Sequence, residues 1–284
     1  MDKPTKYSLA VIAMLVLALA GGYFGAALRG GGGGGTASAA AADGSWMEKI
    51  KKSGELRVGV AIAPPMTVRK GDVLGGPNLI PLENLAKQMG VKLTPVPAEW
   101  KNIVAGLQAD RYDVAANLDG TLERSLSIQF SDPVYEYQGV FVIKGDASLA
   151  SGEAIIKSGD PVAIAQGSAP GNAVKDAGAK VLEVADYTNA LQSVQAGRAS
   201  AVFTDLPTAE SQVQADPSFK IVVPEPKIYE AGAGYGLPNG IDTRSLQTIN
   251  VAINTSRMSG ELERAYAAEN YKTIDNLGDM QKKS

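Results

Sequence analysis

Residues 113–135 read DVAANLDGTLERSLSIQFSDPVY, and this stretch organises the rest of the chain around it. Residues 113–116 are a short apolar run that reads as a strand, and Asp119-Gly120 suits a turn. Before it, residues 102–109 have helical spacing; after it, residues 137–143 form a longer strand of alternating character. Strand and helix succeed one another on both sides. That rhythm implies a largely parallel sheet covered by helices on both faces.

The rhythm extends outward. Toward the N-terminus, Ser45 and Glu48 form a capping box ahead of Ile50, and Gly54 stands where a short helix would stop. Residues 55–62 (ELRVGVAI) read as a buried strand ended by Pro64-Pro65. Leu79, Leu82, Leu85, Ala86 and Met89 keep a helical stripe closed by Gly90, and residues 91–96 are the next strand. Toward the C-terminus a second α/β series follows: strand 162–165, helix 171–177, strand 181–184, helix 186–196 stopped by Gly197, and strand 201–204. The chain then returns through strand 233–237, helix 242–258 and a last helix, 262–271. No short-period repeat is present, so solenoids and propellers are not expected.

With 284 residues, 45% of them hydrophobic and 20% charged, the chain can build a substantial core, and its size suits two lobes. The formal charge is −3 and no long Lys/Arg cluster occurs, so nucleic acid is not an expected partner. Cysteine and histidine are absent. This excludes disulfides, cysteine nucleophiles, Ser-His-Asp triads and His/Cys zinc sets; no catalytic residue, metal or cofactor is expected. It also removes the residue that could carry a lipoprotein anchor.

Lys3 and Lys6 precede an apolar run over residues 7–20, the order of a signal peptide, with small-residue cleavage sites at Ala18-Leu19-Ala20 or Ala37-Ser38-Ala39. The second site follows the flexible run 30–35. The charge-free stretch reaches Arg29, long enough for an uncleaved anchor, although Gly21, Gly22 and Gly25 weaken that reading. Export with cleavage is the expectation.

Residues 113–135 resemble the signature of the polar-amino-acid-binding proteins of bacterial ABC importers, in which T-x-x-R is followed by an F-S-D-P-Y-like end. The same family order recurs in LRVGV (residues 56–60), in W-x-x-I-x-x-G-L-Q-A-x-R-Y-D (residues 100–113), in QGS (residues 166–168) and in GRASAVFTD (residues 197–205). The resemblance covers roughly residues 54–271. It implies a two-lobed periplasmic-binding-protein fold of the α/β class, each lobe a mostly parallel sheet flanked by helices, joined by two hinge strands. The implied division is 1–42 for signal peptide and Gly/Ala linker, 43–143 plus 233–284 for the first lobe, and 144–232 for the second.

The resemblance implies a solute held between the lobes. Arg124, ending the motif that Thr121 starts, matches the arginine that grips the α-carboxylate; a guanidinium fork fits a carboxylate bidentately. Against this stands a surface arginine paired with Glu123 or Asp132. Asp205 matches the aspartate for the α-ammonium, or it caps the helix starting near Leu206-Pro207. Ser168 and Ala169 stand between a strand and a helix, where backbone N–H groups can receive a carboxylate, although Ala169-Pro170 departs from the family's pattern and a plain capping serine is the alternative. Asn117 and Asp119 occupy places where relatives often carry small hydroxyl residues or glycine; Asp119 adds a carboxylate toward the ammonium, favours a cationic side chain, or only makes a turn. Trp100 and Met66 are the candidate walls, although residues of each type are more often core than pocket.

The implied function is capture of an amino acid or related solute and delivery to ABC permease subunits by an exported, monomeric periplasmic protein. A dehydratase acting on cyclohexadienyl acids is the rival on the same scaffold, with Glu136 or Asp119 as its acid. A membrane-held sensor domain is the third alternative.

Overall fold

The computed structural model describes residues 45–149 and 151–269; the expected signal segment and linker lie outside them. Helix α1 (Trp46–Ser53) opens with the capping box, Ser45 and Glu48 each bonding the other's main chain, and Gly54 closes it at a φ of 73°. β1 (Glu55–Val60), a small hairpin of β2 (Val68–Lys70) and β3 (Val73–Gly75), α2 (Ile80–Met89) and β4 (Lys92–Pro97) follow. Then come α3 (Ile103–Gln108), β5 (Val114–Asp119), a one-turn helix α4 (Leu122–Ser125), β6 (Gln129–Phe130) and the long β7 (Tyr135–Lys144).

The next series is α5 (Gly152–Lys157), β8 (Val162–Ala165), α6 (Ala169–Asp176), β9 (Val181–Val184), α7 (Tyr187–Gln195), β10 (Ala201–Asp205), α8 (Leu206–Ala215) and β11 (Phe219–Val222). The chain returns through β12 (Glu230–Leu237), α9 (Thr243–Met258) and α10 (Glu261–Ala268).

The strands form one continuous sheet in the order β4-β1-β5-β12-β7-β10-β8-β9, with β6 beside β12 and β11 beside β7, and β2-β3 stand apart as a two-stranded sheet. β1 is parallel to β4 and β5, and β8 is parallel to β9 and β10. β12 joins β5 antiparallel, and β7 joins β10 antiparallel. β7 serves both halves: residues 135–138 pair with β12, and residues 139–143 pair with β10. The two-lobed α/β expectation therefore holds, with antiparallel strands where the lobes meet.

Each lobe has its own core. In the first, Val58, Leu82, Tyr235, Ile249 and Ile253 share one cluster, so the C-terminal β12 and α9 complete the lobe that β1 began. In the second, Val140, Ala163, Val194 and Val202 pack together on one side of the sheet, while Phe141, Ile155 and Phe203 pack on the other. A further cluster joins the lobes: Trp100 and Ile103 of the first pack with Ala165 and Tyr187 of the second.

Two local expectations change. β5 runs on to Asp119, three residues past the apolar run, because Asp119 pairs with Ala233 of β12. The β2–β3 hairpin, α5, β6 and β11 were not expected from the sequence.

Candidate functional site

β5 ends where the lobes face each other. Asn117 there adopts a φ of 58°, a left-handed conformation that asparagine tolerates better than most residues. Its Oδ1 accepts from Asn78 Nδ2 at 2.6 Å and from the Tyr135 hydroxyl at 2.8 Å. Asn78 is itself held, since its Oδ1 accepts from the Tyr266 hydroxyl at 3.1 Å and its carbonyl from the Tyr235 hydroxyl at 2.7 Å. Both donors fall on Oδ1, and Asn117 lines the pocket between the lobes.

Asp119, two residues on, shares that face of the strand. Its Oδ2 accepts from the Tyr137 hydroxyl at 2.8 Å, and it is buried. Burial pushes its carboxyl up to about 6; the Tyr137 hydrogen bond and the Arg124 charge oppose that rise, and Asp205 adds to it. Thr121 caps α4 by accepting from the Arg124 N–H, which aims the arginine back across the strand end. The guanidinium donates to the Asp119 carbonyl at 3.0 Å and, across the cleft, to the Gly167 carbonyl at 3.1 Å. No ion pair with Glu123 or Asp132 forms among the described residues.

The second lobe contributes helix starts. Ser168 caps α6, donating to the Ala165 carbonyl at 2.7 Å and accepting from Gly171 N–H at 3.2 Å. Asp205 caps α8: its Oδ1 accepts from Thr208 N–H at 2.8 Å, and Oδ2 accepts from the Thr204 hydroxyl at 3.2 Å. Burial raises its carboxyl above the usual range, opposed by those donors. Capping and pocket lining coexist in both residues.

Seven of the nine candidate residues line one pocket: Trp100, Asn117, Asp119, Arg124, Ser168, Ala169 and Asp205. Tyr135, Tyr137, Pro170 and Tyr187 complete it; about 20 Å³ is open to the centre of a water molecule, room on the scale of one water. A groove of about 510 Å³ adjoins it through Trp100, Arg124 and Ala169, and Thr121 lines that groove. The lobes touch at Gly167, whose φ is 79° and where a Cβ would sit 2.6 Å from the Lys101 Cα.

Met66 is not a wall. It is fully buried in the first lobe's core, in one cluster with Leu79 and Leu82. Glu136 is exposed on the face of β7 opposite Tyr135 and Tyr137, so it does not reach the pocket as an acid. The tyrosines escaped the sequence reading, although Tyr135 and Tyr137 stand two apart on a strand, the spacing that puts both on one face. Tyr135 and Tyr137 stack with ring centres 5.7 Å apart, and Tyr229 adjoins Tyr137 at 6.0 Å.

Comparison with known proteins agrees with this geometry. The L-cystine-binding protein TcyA of Bacillus subtilis is 33% identical over 166 residues, covering 57% of this chain and 62% of that protein, less than two thirds of its length. Cyclohexadienyl dehydratase of Pseudomonas aeruginosa is 27% identical over 208 residues, 69% of this chain and 76% of that protein. The arginine-bound form of truncated ArgBP from T. maritima matches with a TM-score of 0.67 at 26% identity, covering 73% of this chain and 98% of that one. The family model of the bacterial extracellular solute-binding proteins, family 3, matches residues 56–268. Two α/β lobes around a polar pocket, spanned by that match, make this chain a member of the bacterial extracellular solute-binding proteins, family 3.

Proposed function

We propose that this protein captures an amino acid between its lobes, outside the inner membrane, and delivers it unchanged to the permease of an ABC importer, acting as a monomer. The observation that carries the reading is the convergence of Arg124 from one lobe and Asp205 from the other on one pocket. Arg124 takes the α-carboxylate, helped by the Asn117 amide and the Ala169 N–H at the start of α6. Asp205 takes the α-ammonium. Trp100 and Tyr187, members of one hydrophobic cluster that bridges the cleft, close over the solute. No helix among the described residues is long and apolar enough to cross a membrane.

Titration calorimetry on protein stripped of solute by unfolding and refolding tests this. Stoichiometric binding of an amino acid, lost in Arg124→Ala, is the expected result; no binding across a full amino-acid panel would sink the reading.

A second reading rests on Asp119, a buried carboxyl raised to about 6 and so available as an acid near neutrality, together with the dehydratase relative. Product formation from prephenate or arogenate would favour it.

A further inference from the structure

The charges around the pocket do not balance for a zwitterion. Asp119 and Asp205 both line it, and Arg124 is the one basic side chain that does so among the described residues. Neither aspartate enters an ion pair among the described residues. The Arg124 guanidinium gives one N–H each to the carbonyls of Asp119 and Gly167, keeps further donors for a carboxylate, and makes no salt bridge with Asp119 among the described residues. Hydroxyl and N–H donors from Tyr137, Thr204 and Thr208 satisfy some carboxylate lone pairs but bring no positive charge.

An amino acid with a neutral side chain offers one carboxylate for Arg124 and one ammonium. Its ammonium can donate to both aspartates but brings one positive charge against two, so one buried negative charge stays uncompensated, which is costly or is relieved by taking up a proton. A solute with a second cationic group satisfies both. The lining is suited to that group as well. Trp100, Tyr135, Tyr137 and Tyr187 surround the two carboxylates, and aromatic faces attract ammonium and guanidinium ions.

We propose that the solute is a basic amino acid, its α-ammonium on Asp205 and its side-chain ammonium or guanidinium on Asp119. The proposal rests on the amino-acid-binding reading above and narrows it to solutes of net positive charge. Asp119 then acts as the residue that sets specificity.

The test compares solutes of similar shape and different charge: L-arginine against L-citrulline, and L-lysine against L-norleucine, titrated calorimetrically into the stripped full-length chain. One basic member should bind at least about 30-fold more tightly than its neutral counterpart, as expected when a buried charge pair is broken. Asp119→Asn should reduce that ratio to below about threefold. A native ratio below about threefold overturns the proposal, whatever the variant does. So does a large ratio that survives in Asp119→Asn. Asp119→Ser serves as the second variant, and a thermal melt checks that each folds. Tightest binding of a neutral amino acid such as glutamine overturns this inference while leaving amino-acid capture standing. Binding of no amino acid at all defeats both.

Discussion

The two sides of the pocket are built differently. On the second lobe, Ser168 and Asp205 are helix caps whose partners lie within three residues: Ala165 and Gly171 for one, Thr204 and Thr208 for the other. On the first lobe, Asn117 is held by Asn78 and Tyr135, 39 and 18 residues away, and Asp119 by Tyr137, 18 away. The second lobe's groups are pinned by their own secondary structure, so replacing them disturbs a helix. The first lobe's groups hang on a tertiary scaffold of hydroxyls and amides, so replacing them disturbs orientation and charge more than the fold.

The largest expected effects test this division directly. Arg124→Ala and Asp205→Ala should each weaken solute binding by about 2–5 kcal/mol in calorimetric titrations. Asp205→Asn should lose a comparable amount of binding yet keep the cap, because asparagine caps as well as aspartate does. The alanine variant should therefore melt roughly 2–4 °C below the asparagine variant, for a cap worth about 1 kcal/mol. Equal melting temperatures would break the contrast between the two sides.

Protonation sharpens it next. The Asp119 carboxyl titrates near 6 in the folded protein, against 3.8 for the ordinary group. A raised acid binds its proton more tightly when folded, so its contribution to stability is fully present below pH 3.8 and is lost as pH rises to 6. The loss is on the order of 3 kcal/mol. Melting curves from pH 4 to 7 should fall less steeply for Asp119→Asn than for the native chain; parallel curves would refute the assignment. Tyr137→Phe removes a bond to the ionised form, so its window of falling stability should reach to higher pH, at a cost of about 1 kcal/mol near neutrality.

Gly167→Ala should give a milder change of another kind. The left-handed backbone alone costs an alanine about 1–2 kcal/mol, and the new methyl meets Lys101 of the opposite lobe. Affinity should fall, and small-angle scattering with saturating solute should show a larger radius of gyration than the native complex. Unchanged scattering would show that this contact does not limit closure.

The same contrast explains what the sequence disclosed. Arg124, Asp205 and Ser168 were legible because a motif or a strand-to-helix junction marks them, and their caps depend on near neighbours. The strand–helix rhythm was legible for the same reason: local periodicity wrote it. The Asn78–Asn117–Tyr135 network was not, because its members are far apart in the chain and acquire meaning only when β5, β7 and the turn before α2 meet. Between wall and core, the sequence did not decide for Met66. Its position suggested a wall, but packing with Leu79 and Leu82 draws it fully into the core.

The sheet order carries a consequence for how the molecule comes into being. β8, β9 and β10 all lie between residues 162 and 205, and β7, which pairs with β10, and β11, which pairs with β7, flank them closely in sequence. The second lobe has all its strands once roughly residue 222 has emerged. The first lobe does not: Asp119 of β5 pairs with Ala233, so β5 and the first half of β7 wait with open edges until β12 slots between them. That pairing spans the whole inserted lobe, and contacts between distant segments form slowly. In chain order the middle lobe's strands are therefore complete first, and the first lobe's sheet is closed by the insertion of a single strand.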